Sequence, residues 1–290
     1  MYSTLIEPAE LVRLLAQTPV GAGREPNVAI LDCRHELSRP DWGDHAYADG
    51  HIPNALQAHL DRDLSGQVGP QTGRHPLPDA ARLVEKLSSW GIDRDVQVVA
   101  YDQGNGVYAA RAWWLLRWLG HTSVAVLDGG FAAWQEAGLP VSREAGARTP
   151  RRFVAHTSDG AAVTTAQLQQ ALASEAVALV DARGADRFAG ENETIDPIAG
   201  HVPGASNRPF GKNVDSRGRF LPAAELRRQW DEVLGARPPA ELVAMCGSGV
   251  SACHNLLALE IAGLPGARLY PGSWSEWIRD PARPVARGSS

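Results

Sequence analysis

The chain has 290 residues and a mass of 31.1 kDa, long enough for two domains of ordinary size. Lys and Arg number 28 against 33 Asp and Glu, a formal charge of −5, so no surface for nucleic acid is expected. An apolar content of 44% excludes global disorder, and only three cysteines exclude a disulfide scaffold. No apolar run reaches the ~20 residues a membrane span needs. The N-terminus has neither a basic start nor an apolar signal core, so a cytoplasmic, membrane-free protein is expected.

In chain order, Ile6-Glu-Pro-Ala-Glu-Leu11 reads as a helix start. Val28-Ala-Ile-Leu-Asp32 is a short apolar strand ending on an acid, and Val96–Tyr101 and Val124–Asp128 repeat that pattern. Amphipathic stretches at Ala80–Trp90 and Ala109–Leu119 lie between the strands. Strands separated by helices predict an α/β fold with a parallel sheet. Thr164-Thr-Ala-Gln-Leu168 then reads as a capped helix start, Ala178–Asp181 and Leu242–Met245 as strands, and Cys253–Ile261 as a helix.

The second half repeats the first. Asp181 follows Asp32 by 149 residues, His201 follows His51 by 150, and Ser273 follows Gly130 by 143. The matched pieces include Gly50-His-Ile-Pro53 with Gly200-His-Val-Pro203, and Leu127–Trp134 with Tyr270–Trp277. A nearly constant offset over ordered matches predicts a duplicated domain, far longer than a solenoid repeat. The expected division is 1–145, a polar linker at 146–157, and 158–290. His51, His201, Asp32 and Asp181 occur in both copies, so a structural role is expected of each.

The copies differ after one strand. The second reads Cys246-Gly-Ser-Gly-Val-Ser-Ala252, where the first has Asp102-Gln-Gly-Asn-Gly-Val-Tyr108. A loop of small residues between strand and helix can turn its N–H groups inward as an anion cradle, and the helix N-terminus adds positive potential. A Cys246 thiolate would be stabilised there as a nucleophile. The alternative is a buried structural cysteine. Cys33 and Cys253 read as packing residues. Cys246, Cys253 and His254 lack a zinc spacing, so no metal is expected.

These residues resemble the two-domain rhodanese-like sulfurtransferases from end to end. The resemblance rests on the two Gly-His-(Ile/Val)-Pro segments, the Cys246–Ala252 loop and Gly272-Ser-Trp-Ser-Glu-Trp277. It implies two parallel sheets flanked by helices, an inactive first copy with Asp102 at the cysteine position, and ping-pong sulfur transfer through a Cys246 persulfide. The neutral residues after Cys246 look like the 3-mercaptopyruvate type. In that type Ser248 works with a histidine and an aspartate, matched here by His75 and Asp63, in proton transfer. Arg187 matches one of two arginines near the donor carboxylate. The second has no match in 190–199, and Arg208 is the candidate substitute from position. Gly247, Gly249, Val250 and Ser251 complete the expected binding loop. The resemblance implies a small-molecule donor and an acceptor thiol (thioredoxin or a small thiol) or cyanide; no cofactor is expected, and a monomer is, since two packed domains already make a complete site. A thiosulfate-preferring enzyme and a persulfide relay are the open alternatives. A Cys phosphatase is disfavoured, because the sixth residue after Cys246 is Ala252 rather than arginine.

Overall fold

The computed structural model describes residues 1–17 and 27–288, and the chain falls into two compact units. The first comprises Met1–Gly66, Pro78–Ser158 and Ser216–Phe220. The second comprises Gln67–Leu77, Asp159–Asp215 and Leu221–Ser290. Neither unit is continuous in sequence: residues 67–77 belong to the second and 216–220 to the first. The segment at 146–157, expected as the linker, falls within the first unit and is bonded to it. Arg151 N–H donates to Ser88 O, His156 N–H donates to Leu119 O, and Phe153 is buried. Two of its arginines are engaged: the Arg148 guanidinium donates to Val28 O at 2.7 Å, and that of Arg151 to Asn27 Oδ1 and the Asp93 carboxylate.

The first unit runs β1 (Leu5–Ile6), α1 (Pro8–Ala16), β2 (Val28–Asp32), α2 (Trp42–Asp49), β3 (Leu56–Gln57), α3 (Ala80–Ser89), β4 (Gln97–Tyr101), α4 (Val107–Trp118), β5 (Val124–Leu127) and α5 (Gly130–Glu136). Its sheet is parallel with order β1-β5-β4-β2-β3. Every residue of β2, β4 and β5 is buried, which is why these strands read as continuous apolar runs rather than alternating ones. Helix α3 begins where the Asp79 carboxylate accepts the Arg82 N–H at 3.0 Å, and it turns Leu83 and Leu87 inward.

The second unit runs α6 (Thr165–Ala173), β6 (Ala178–Asp181), α7 (Ala185–Ala189), β7 (Ser206–Asn207), α8 (Ala223–Leu234), β8 (Leu242–Met245), α9 (Ser251–Ile261), β9 (Arg268–Leu269) and α10 (Ser273–Trp277). Its parallel sheet has the order β7-β6-β8-β9, and a parallel bridge from Ala162 to Leu269 continues it beyond β9. The first sheet has the same order with the bridge standing for β1. Thr164 and Gln167 form the capping box that starts α6. Helix α8 buries Leu226, Trp230 and Leu234, one stripe at four-residue spacing. Helix α9 is buried along Ala252–Leu259, as a helix enclosed against a sheet must be.

The shared residues hold the shared turns. The His51 imidazole is bonded to Tyr47 O and Glu144 O, and His201 Nδ1 to Phe188 O. Each imidazole stacks on an aromatic ring, Tyr47 or Phe188. Asp32 and Asp181 each end a strand in a buried ion pair, with Arg34 and Arg183 respectively. Among the described residues no helix is long and apolar enough to cross a membrane.

Candidate active site

In the first unit the loop after β4 closes on a carboxylate. Asp102 is fully buried, and its oxygens accept N–H bonds from Gly104, Gly106 and Tyr108, each at 2.9 Å. Burial pushes the Asp102 carboxyl up, while these backbone donors pull it down. The loop is thus an anion cradle whose anion is part of the chain.

The corresponding loop of the second unit follows β8 and holds a sulfur instead. Cys246 is buried, and its Sγ accepts the Gly249 N–H at 3.1 Å. Gly249 adopts φ +78°, and a β-carbon there would meet Pro271 O at 2.5 Å, so only glycine fits. The Cys253 thiol donates to Gly249 O at 3.2 Å and ties the loop to the first turn of α9. The turn before α10 braces the other side. Cys246 N–H donates to Ser273 Oγ at 3.0 Å, and Ser273 Oγ–H donates to Tyr270 O. The N–H groups of Trp274 and Ser275 reach Cys246 O and Gly247 O, both at 2.9 Å. Ser273 takes φ +53° to make these bonds, as Gly130 takes φ +56° at the equivalent place beside Asp102.

His75 lies in the second unit by virtue of the Gln67–Leu77 segment. Its Nδ1 is 2.7 Å from Ser248 Oγ, and both side chains are buried. Val250 and Ser251 carry the loop into α9. Asp63 belongs to the first unit. Its carboxylate accepts the His59 N–H at 2.9 Å and pairs with the Lys86 ammonium at 2.7 Å.

Two arginines flank Gly247. A β-carbon at Gly247 would stand 2.8 Å from Arg74 Nη2 and 3.7 and 3.8 Å from the two Nη atoms of Arg187. Acidic residues of the 190–199 loop pair with both guanidinium groups. Asp196 bridges Arg74 Nη1 and Arg187 Nη2. Glu193 takes the Nε–Nη2 edge of Arg187 at 2.8–3.1 Å. Burial raises the Asp196 carboxyl, with Arg74 opposing it. These pairs leave Arg74 Nη2 and Arg187 Nη1 on the Gly247 side, a fork for a carboxylate.

Arg74 is therefore the second arginine beside the loop, and sequence reasoning missed it. Its one signal was adjacency to His75, a candidate on other grounds. The expectation for Arg208 is corrected. It bonds Asn213 Oδ1 and Gln229 Oε1 and stacks over Trp230, away from the pairs around Gly247.

The remaining nucleophiles and metal candidates are engaged elsewhere. Burial, followed by Asp32 and Asp102, pushes the Cys33 thiol well above its usual range. His254 Nδ1 accepts from the Asn213 amide at 3.0 Å. Among the described residues His35, His59 and Asp61 gather as possible metal ligands. However, His59 Nδ1 accepts the Asp61 and Arg62 N–H groups and its Nε2–H donates to Pro40 O, which leaves no lone pair for an ion.

Residues 9–137 and 164–280 match the rhodanese-like domain family. The chain is similar to a Pseudomonas aeruginosa protein described as a probable 3-mercaptopyruvate sulfurtransferase, with 51% identity over 277 residues, 95% of this chain and 98% of that one. It is 41% identical over 266 residues to a Mycobacterium tuberculosis protein provisionally named a thiosulfate sulfurtransferase, covering 91% of this chain and 92% of that protein. Among solved structures, the 3-mercaptopyruvate sulfurtransferase of Leishmania major superposes with a TM-score of 0.78 at 31% identity, over 95% of this chain and 74% of that one. The chain belongs to the rhodanese-like family, as two domains each built on a parallel sheet flanked by helices.

Proposed function

We propose that this sulfurtransferase takes its sulfane sulfur from 3-mercaptopyruvate and delivers it through a Cys246 persulfide to cyanide or a thiol. The observation that carries the donor assignment is the pair of arginines at Gly247. Arg74 Nη2 and Arg187 Nη1 offer two N–H prongs to a carboxylate, one residue from the nucleophile, on charges that Asp196 and Glu193 already balance.

The Cys246 thiolate attacks the donor sulfur. The S–C bond breaks, its electron pair forms the enolate of pyruvate, and the proton of the donor thiol ends on that carbon. Ser248 and His75, 2.7 Å apart, form the relay for this proton. The persulfide anion keeps the Gly249 N–H as its donor. Cyanide then takes the outer sulfur as thiocyanate, or a thiol takes it as a new persulfide, and the Cys246 thiolate returns.

A steady-state assay with 3-mercaptopyruvate and thiosulfate side by side, cyanide as acceptor and Cys246→Ser as control, tests the reading. A larger kcat/KM for 3-mercaptopyruvate is expected, with no turnover in a folded Cys246→Ser variant. A larger value for thiosulfate overturns the donor assignment. Inactivity with both donors favours a relay fed by another protein. Turnover in Cys246→Ser removes the mechanism altogether.

A further inference from the structure

A second concave site lies in the same unit, between the 206–213 segment after β7 and helix α8. It encloses about 470 Å³ and is lined by Asn207, Arg208, Lys212, Arg228, Gln229 and Glu232, with Val233 at its edge. That volume suits a small ligand.

Arg208 forms its wall and is 3% exposed. Its guanidinium lies 4.0 Å from the centre of the Trp230 ring, with Nη1 on Asn213 Oδ1 at 2.5 Å and Nη2 on Gln229 Oε1 at 3.0 Å. Both acceptors are neutral amides, and no described carboxylate pairs with it. This sets Arg208 apart from the buried arginines 34 and 183, each of which closes on its own aspartate. A buried charge without a counter-ion is costly. Burial alone pulls this guanidinium down to about 10. Of five N–H donors in an arginine fork, the two amide bonds use two.

The other charges of the site follow the same logic. Lys212 is exposed at the rim, and no described carboxylate pairs with it. Arg228 is engaged by Glu225 and Glu232 at 2.7 Å, and Glu232 is the one acid in the lining. Glu225 and Glu232 together outweigh Arg228 by one charge, so with Arg208 and Lys212 the group keeps a surplus of one positive charge.

We infer that this cleft is an oxyanion site, separate from the Cys246 loop, that takes a phosphate or sulfate group between Arg208 and Lys212. The planar fork grips two oxygens and the ammonium adds a point charge at the rim. The volume exceeds a free ion, so the oxyanion can be the head of a small ester.

The test is a titration with inorganic phosphate, and separately with a phosphate monoester, against sodium chloride at equal ionic strength. Thermal unfolding and calorimetry give the readout. The Arg74–Arg187 fork also attracts anions, so the titration is run in Arg187→Ala. Phosphate-specific stabilisation is expected there with one or both ligands. Lys212→Ala, an exposed change that spares the fold, should weaken binding about tenfold. Arg208→Gln should weaken it at least as much. If Arg208→Gln fails to fold, Lys212→Ala decides alone. Absence of phosphate-specific binding in Arg187→Ala overturns the inference, and so does binding that survives Lys212→Ala unchanged.

Discussion

Replacing Arg74 by alanine separates the donor half of the reaction from the acceptor half. The substitution removes one prong of the fork at Gly247 and one partner of Asp196. A hydrogen bond to a charged group contributes about 1.5–3 kcal/mol. The Arg74 side chain is 26% exposed, so the lower part of that range applies, about 1.5–2 kcal/mol. The expected loss in kcat/KM for 3-mercaptopyruvate is roughly 10- to 30-fold. In a ping-pong scheme the acceptor's kcat/KM reports only on the loaded enzyme, and cyanide has no carboxylate to bind. That constant should stay near wild type. Arg74→Lys should recover part of the loss, because it restores a charge without the fork. Initial rates over a grid of donor and cyanide concentrations give both constants. An unchanged donor constant in a folded Arg74→Ala variant refutes the carboxylate fork. An equal fall in both constants places Arg74 in loop structure rather than donor recognition.

Three further outcomes follow from the same geometry. Arg187→Ala should raise KM more for 3-mercaptopyruvate than for thiosulfate, and equal effects in steady-state assays would remove it from the carboxylate site. Ser273→Ala leaves the buried Cys246 N–H and Tyr270 O without their hydroxyl partner, so urea unfolding should show a loss of about 1–3 kcal/mol together with reduced turnover. Asp44 is held down to about 2, chiefly by Arg62. An acid depressed on folding stabilises above its unfolded value near 3.8, and that contribution disappears as pH falls through about 2. Asp44→Asn should therefore cost up to about 1 kcal/mol at neutral pH, the scale of an exposed pair, and nothing once the pH is well below 2. Urea titrations at both pH values check the sign.

Much of this architecture is written locally. The strand Val28–Asp32 stands where its apolar run predicts, because a strand covered on both faces leaves an unbroken apolar run. The start of α6 is equally local, since Thr164 and Gln167 cap one another within four residues. Strand β4 begins at Gln97 and helix α4 at Val107, one residue later and two earlier than the pattern predicts. Strands β1, β3, β7 and β9 have two residues each, too few to show a period. The Cys246 loop was legible because its chemistry is contiguous. Arg74 was not, because its neighbours Gly247, Arg187 and Asp196 lie more than a hundred residues away along the chain. The reach of Gln67–Leu77 into the second unit was hidden for the same reason. Nothing local in Pro70-Gln-Thr-Gly-Arg-His75 says that Arg74 N–H will meet Ser275 Oγ.

The carboxylate inside the first loop gives the two copies different working lives. Asp102 is a permanent tenant, so the loop after β4 can relax once, during folding, around a charge that never leaves. In the proposed cycle the loop after β8 has a guest that changes identity at every turnover, from thiolate to persulfide and back. It must grip both without settling on either. The filled loop is tied from within, by amides meeting their own side chain. Both loops are also tied from outside by equivalent backbone pairs, Phe131 and Ala132 N–H to Asp102 O and Gln103 O in the first and Trp274 and Ser275 N–H to Cys246 O and Gly247 O in the second, and the second adds Ser273 and Cys253.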